Sequence, residues 1–235
     1  MNKENQFEKI SRKNAKFFND NLNYRQNINN IDTYHNIRDE VSRILSGTDN
    51  LLDIGHGGVF DYDTSKIQKI VGLDLDKMID VKYLPKNITL ENGSALEIPH
   101  HLRDFDTIIF AMLIHHLIGK NVKENLLNLN KCIEQSKKAL IDGGKLLIVE
   151  SCVPYWFYLI EKLLFKPTSY VINKYLNHPP AFQYTIKIIE EVLKKNNFKE
   201  IEIKKIKQGR FILQYGIKFP TFLTPVETYI ITALK

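Results

Sequence analysis

Between residues 50 and 150 short, almost wholly apolar runs alternate with amphipathic or polar stretches, and this rhythm limits the available folds more than any other feature. The runs are Asn50–Ile54, Lys69–Leu73, Ile88–Leu90, Phe105–Met112 and Lys145–Glu150. A strand that is apolar on both faces belongs in a sheet covered on both sides, and such sheets are parallel, built from strand–helix–strand units. Right-handed crossovers then arrange five strands in the order 3-2-1-4-5, with the first strand central. Helical spacing flanks the runs. Tyr34, Ile37, Val41 and Ile44/Leu45 precede a stop at Gly47, and Val122, Leu126, Leu129, Ile133 and Leu140 predict a long amphipathic helix ending at Asp142-Gly143-Gly144.

After Glu150 the rhythm breaks. Residues 151–184 hold the only tryptophan among many aromatics, and Trp156, Leu159, Ile160, Leu163 and Leu164 predict an amphipathic helix. A helix over Thr185–Asn196 follows, and the alternating segments Ile201–Ile203, Phe211–Tyr215 and Tyr229–Thr232 predict an antiparallel ending. A further helix is expected around Phe7–Phe18 in the polar, asparagine-rich start. With no linker or repeat, the 235 residues, 43% hydrophobic and 26% charged, predict one medium α/β domain and exclude fibrous or wholly disordered classes.

The net charge of +6 invites a nucleic-acid reading, but a lysine-rich composition raises it without any anionic partner, and Lys199, Lys204, Lys205, Lys207 and Arg210 are interleaved with Glu200 and Glu202. Two cysteines, Cys132 and Cys152, form neither a disulfide framework nor a zinc spacing, so no metal is expected. The polar N-terminus predicts no signal peptide. The longest apolar run, Val153–Phe165, falls short of the roughly 20 residues of a spanning helix. A cytoplasmic location and a monomer or homodimer are the expectations.

The chemistry concentrates at Asp53-Ile54-Gly55-His56-Gly57-Gly58, a glycine turn at the carboxyl end of the expected central strand. Open α/β sheets bind ligands there, where glycine lets backbone approach closely. A pyrophosphate would be repelled by Asp53, whereas a ligand with a positive amino group suits it. Asp74 ends the second strand, where a carboxylate can accept both hydroxyls of a ribose. An amine and a ribose together point to an adenosyl amino acid rather than a dinucleotide.

These residues carry a resemblance. LLDIGHGG resembles the first motif of the class I S-adenosylmethionine-dependent methyltransferases, VGLDLD their second-strand acidic motif, and Asn92–Pro99 their adenine-contacting segment. FDTIIFAMLIHHL resembles their fourth strand, and Leu140–Leu146 the turn before the fifth. The resemblance implies a Rossmann-like, doubly wound seven-stranded α/β sheet in the order 3-2-1-4-5-7-6, its last strand antiparallel. It divides the chain into an N-terminal helical cap (1–47), a cofactor-binding half (48–150), an insertion or lid (151–184) and a C-terminal helix with antiparallel strands (185–235).

The resemblance also implies roles. S-adenosylmethionine is the cofactor and S-adenosylhomocysteine its product. Gly55 and Gly57 line the methionyl part, with His56 beside them and Asp53 holding the loop and the amino group. Asp74 binds the ribose, Leu75 lies by the adenine, Ser94 and Ala95 meet the adenine edge, and Met112 faces the sulfonium. Three departures stand out. Val59 replaces the third glycine, and residues 60–65 are poor helix formers, so the first helix is expected to be short or absent. The cofactor carboxylate would then be held by Tyr24, Arg25, Tyr34 or His35. Ser94 stands where an acidic residue is common, and Asp142 where proline is.

For catalysis the candidates are His115, His116 and Glu150, near the expected transfer locus, with imidazole suited to take a proton near neutral pH. Each also has a bland alternative: the histidines can orient a loop, and Asp53 can simply brace the turn. Trp156, His178 and Tyr184 are candidate acceptor contacts if the insertion is a lid; packing over the sheet edge, dimer contact or membrane-surface contact are its other readings. The expected function is methyl transfer to a small-molecule or lipid-like acceptor. An RNA or DNA methyltransferase and a non-catalytic S-adenosylmethionine-binding protein remain the alternatives.

Overall fold

The computed structural model describes residues 32–75, 84–171, 181–206, 211–212, 218–219 and 226–235. The helix expected around Phe7–Phe18 lies outside them, as do Tyr24, Arg25 and His178. Among the described residues, four helices, α1 (Asp32–Leu45), α2 (Val122–Ala139), α3 (Tyr155–Val171) and α4 (Ile186–Lys195), accompany nine strands. These are β1 (Asn50–Ile54), β2 (Lys69–Asp74), β3 (Ile88–Asn92), β4 (Phe105–Ala111), β5 (Leu140–Cys152), β6 (Lys199–Lys205), β7 (Phe211–Ile212), β8 (Lys218–Phe219) and β9 (Glu227–Leu234).

Seven strands form one sheet in the order β3-β2-β1-β4-β5-β9-β6, which is 3-2-1-4-5-7-6 when only its members are counted. The first five run parallel, and β9 is antiparallel to both β5 and β6. Of the segment expected over Phe211–Tyr215, Phe211 and Ile212 form a strand antiparallel to Lys218–Phe219, in a separate two-stranded sheet, and residues 213–215 lie outside the described residues.

Both faces of the main sheet are covered, which explains why its central strands read as continuous apolar runs. Leu52 and Ile54 of β1 pack with Leu129, Cys132 and Ile133 of α2, Ile189 and Leu193 of α4, and Tyr158 and Phe165 of α3. Leu51, pointing the other way, packs with Ile37, Val41 and Leu45 of α1. This alternation along β1 fixes its register, since a one-residue slip would exchange the two cores.

Helix α2 starts where Asn121 Oδ1 accepts the Glu124 N–H at 3.0 Å, a side-chain cap. Its end differs from expectation, because the chain enters β5 at Leu140 directly. Leu140 pairs with Phe105, and a register shift before the Thr107–Lys145 pair absorbs the Asp142-Gly143-Gly144 turn. After β1 there is no helix: residues 55–63 form a loop, followed by one 3-10 turn, Thr64–Lys66.

Candidate active site

Strand β1 lies between β2 and β4, so the connections leaving β1 and β4 diverge to opposite sides and open a crevice at their carboxyl ends. Gly55, Gly57 and Gly58 take φ of 74°, 56° and 80°, a region that glycine occupies without steric cost. No atom lies within 4 Å of where a Gly57 Cβ would stand, so the turn faces open space there. Asp74 at the tip of β2 reaches across. Its Oδ2 accepts the Gly57 N–H at 2.9 Å and its Oδ1 the Leu75 N–H at 2.7 Å.

Asp53, 2% exposed, accepts the Tyr62 hydroxyl at 2.8 Å through Oδ2, while its Oδ1 has no hydrogen-bond partner among the described residues. Burial lifts its pKa to about 7; the Tyr62 hydrogen bond opposes that rise, and the nearby Asp74 charge adds to it.

His56 fills the space where a helix would otherwise begin. Its ring stacks on Phe60 with centroids 4.9 Å apart, and Nδ1 accepts the Gly58 N–H at 2.9 Å. That bond assigns the proton to Nε2, and burial lowers the ring's pKa. Beneath it lies Gly72, where a Cβ would stand 2.9 Å from both His56 Cδ2 and Phe60 Cζ. The ring pair therefore requires glycine in mid-strand.

Among the other expected cofactor contacts, Leu75 and Ser94 are half-buried and Ala95 is buried. The Ser94 hydroxyl accepts the Leu96 N–H at 3.1 Å, closing a local turn. Met112 has a φ of 53° and packs against the core on the α1 side of the sheet. Its neighbour Leu113 takes the position above the first glycine: a Gly55 Cβ would lie 2.6 Å from Leu113 Cδ1. Gly55 is thus covered by Leu113, and the open part of the turn is at Gly57. His35 is exposed on α1.

The three catalytic candidates do converge. Glu150, fully buried at the end of β5, receives the Ile114 N–H at 2.9 Å and the His115 N–H at 3.4 Å on Oε2. Its Oε1 receives the Ser151 N–H at 2.8 Å and lies 2.6 Å from His115 Nδ1. A carboxylate already accepting several N–H donors assigns the shared proton to Nδ1, leaving His115 Nε2 as the acceptor nitrogen. The His116 ring lies 4.1 Å from that of His115, centroid to centroid. Glu150 is therefore a brace for the loop and an orienter of His115, not a group that reaches a ligand.

A chain of contacts extends from this pair to α3. The Ser151 hydroxyl donates to Gln183 Oε1 at 3.0 Å, and the Gln183 N–H donates to Glu161 Oε1 at 3.0 Å. The Phe182 N–H donates to the His115 carbonyl at 2.9 Å. Burial lifts the Glu161 pKa to about 7, with the Gln183 N–H and His115 opposing the rise. Its Oε2 has no partner among the described residues, and neither has the hydroxyl of Tyr184, which is 1% exposed. Trp156 is 59% exposed on the outer side of α3, away from this cluster.

Sequence reasoning missed Glu161, Ser151, Gln183, Tyr62 and Gly72. Two had a signal. Glu161 is the one carboxylate in a largely apolar helix, and Gly72 interrupts a strand, where glycine marks a close approach.

No family model matches the chain, and no curated protein matches it. Solved structures do. A SAM-dependent methyltransferase from Methanosarcina mazei superposes with a TM-score of 0.56 at 14% identity, over 83% of this chain and 96% of that one. Phosphoethanolamine N-methyltransferase 2 of Haemonchus contortus, solved with S-adenosyl-L-methionine, gives 0.54 at 17% identity, over 86% of this chain and 52% of that one. The chain has the class I methyltransferase fold. The strand order, the antiparallel β9 and the crevice beside β1 are its hallmarks, as the resemblance in sequence implied. The [4+2]-cyclase SpnF shares this methyltransferase fold too, at a TM-score of 0.59 and 14% identity, over 85% of this chain and 79% of that one.

The residues present fit an adenosyl amino acid. Beside the glycine turn are a buried carboxylate with an unpartnered oxygen and a second carboxylate at the neighbouring strand tip, with open space at Gly57 between loop and sheet. Among the described residues no group of His, Cys, Asp and Glu side chains could hold a metal ion.

Proposed function

We propose that the protein is an S-adenosylmethionine-dependent methyltransferase acting on a small-molecule or lipid-like acceptor. The observation that carries this reading is Asp74, at the tip of β2, hydrogen-bonded to the glycine turn of β1 within a sheet of the methyltransferase order. When bound, the cofactor supplies a methyl group already activated by a sulfonium.

The chain's own residues position and desolvate. Asp74 keeps unused lone pairs on both oxygens for ribose hydroxyls, since each oxygen accepts only one backbone N–H. Asp53 offers its free oxygen to a positive group, whose arrival would draw the carboxyl into its ionised form. His115 presents Nε2 to an acceptor that must lose a proton, and Glu150 stabilises the imidazolium that results. Effective positioning of this kind is worth several kcal/mol of barrier, on the order of 7–11 in well-oriented systems.

The nucleic-acid alternative finds little support on β6. Lys204 pairs with Glu40 at 2.8 Å, a carboxylate it shares with Arg43, and Lys205 pairs with Glu227 at 2.5 Å, so both cations already have acidic partners within the chain. A second reading is a binder of the same cofactor that performs no methyl transfer; the [4+2]-cyclase shows that this fold also serves a protein named for a different reaction.

Calorimetric titration with S-adenosylmethionine and S-adenosylhomocysteine, followed by labelled-methyl assays over hydroxyl, amine and lipid acceptors, separates these. Binding of both with turnover supports methyl transfer. Binding without turnover on any acceptor supports the second reading, and no binding overturns both.

A further inference from the structure

Helix α3 presents two unlike sides. Tyr158 and Phe165 point inward and both meet Phe182 edge-on, at 5.6 and 5.4 Å, with Glu161 between them along the helix. On the outside, Tyr155, Trp156, Leu159, Ile160 and Leu163 are 66, 59, 44, 47 and 81% exposed. At 3.6 residues per turn these five fall within an arc of about 140°. Single exposed apolar residues are ordinary, but a contiguous set on one helix face marks a contact surface. A helix that is apolar nearly all round belongs in a core or against lipid.

Charge decides between the possible covers. From Tyr155 to Lys174 the sequence carries Lys162, Lys166 and Lys174 against one carboxylate, Glu161, which is turned inward onto the Gln183 N–H. Lys162 is exposed at the edge of the apolar arc, and no ion pair holds it among the described residues. A second copy would bring the same exposed Lys162, and the same net +6, against this face. An anionic lipid surface supplies the opposite charge, and tryptophan and tyrosine favour the headgroup region, where one end of the ring is apolar and the other wet. Among the described residues no helix is long and apolar enough to cross a membrane, so contact would be lateral.

We propose that α3 docks the protein on an anionic bilayer, lying in the plane of the interface with Trp156, Leu159, Ile160 and Leu163 immersed and Lys162 among the headgroups. This goes beyond the methyl-transfer reading and stands or falls separately from it.

Trp156 is the chain's only tryptophan, so its fluorescence reports on this face alone. The full chain is titrated with vesicles of phosphatidylcholine and of phosphatidylcholine with phosphatidylglycerol. The expected result is a blue shift and protection from acrylamide with the anionic vesicles, reversed by salt as the charges are screened. Leu163→Glu, at the most exposed of the five positions, should weaken partitioning on the order of tenfold or more while leaving the circular dichroism unchanged. No spectral change with either vesicle overturns the proposal, as does equal binding to both. Emission already shielded from acrylamide in the free chain also overturns it; dilution that restores quenching would then identify a second copy as the cover.

Discussion

Asp74 Oδ2 holds the backbone N–H of Gly57 at 2.9 Å, so the ribose-binding candidate and the glycine turn are one mechanical unit. A side chain that both shapes the loop and meets the ligand should weaken binding twice over when removed. Asp74→Ala is expected to lower S-adenosylhomocysteine affinity by about 1–3 kcal/mol, the range for charge-assisted hydrogen bonds. Calorimetry on a folded variant with unaltered affinity would sink the assignment.

Burial holds the pKa of Asp53 up at about 7. Its folded value lies above the unfolded 3.8, so the native state binds the proton more tightly. Stability on this account is highest below the unfolded value and declines as pH rises from about 4 to about 7. Asp53→Asn keeps an acceptor for the Tyr62 hydroxyl without the buried charge. It should raise unfolding free energy by on the order of 1–3 kcal/mol at pH 8 and by less at pH 5. Urea titrations at the two pH values check this; equal gains would mean that charge burial is not the cause.

Glu150 acts through His115, and the two roles of the carboxyl separate by substitution. Glu150→Ala strands the Ile114 and Ser151 N–H groups in the interior and should cost about 2–4 kcal/mol of stability. Glu150→Gln keeps the volume but loses the charge that stabilises an imidazolium. It should reduce kcat by on the order of a hundredfold with KM little changed. A KM rise with kcat intact would leave Glu150 a purely structural brace.

Gly72→Ala places a methyl 2.9 Å from the His56 and Phe60 rings. Overpacking of this kind costs about 1–3 kcal/mol. Removing the ring as well, in His56→Ala/Gly72→Ala, should recover part of the loss made by Gly72→Ala alone. Thermal melts of the wild type, both single variants and the double variant read the coupling, and additive losses would show that the two residues do not share one space.

The sheet was legible because its code is local. Apolar runs mark strands buried on both faces, and the expected bounds of β1, β2 and β4 differ from those observed by a residue or so at their ends. The start of β5 was not legible, since Leu140 joins the sheet only through its long-range pairing with Phe105. Within the candidate site, the places of Asp53, Asp74 and the glycines at the strand ends could be read from the sequence. Leu113 over Gly55, Tyr62 on Asp53 and Gln183 between Ser151 and Glu161 could not. Each of these contacts depends on how loops from different strands fold over one another, and no spacing in the sequence records that.

The segment Phe182–Gln183 is stitched to three elements at once: the His115 carbonyl, the Ser151 hydroxyl and the Glu161 carboxylate. Mechanically, it works like a short bar linking α3 to the imidazole of His115. Any force that shifts α3 by a fraction of a turn is transmitted along that bar to the histidine's bearings. The setting of His115 should therefore respond to whatever leans on α3, at a distance from the ring itself.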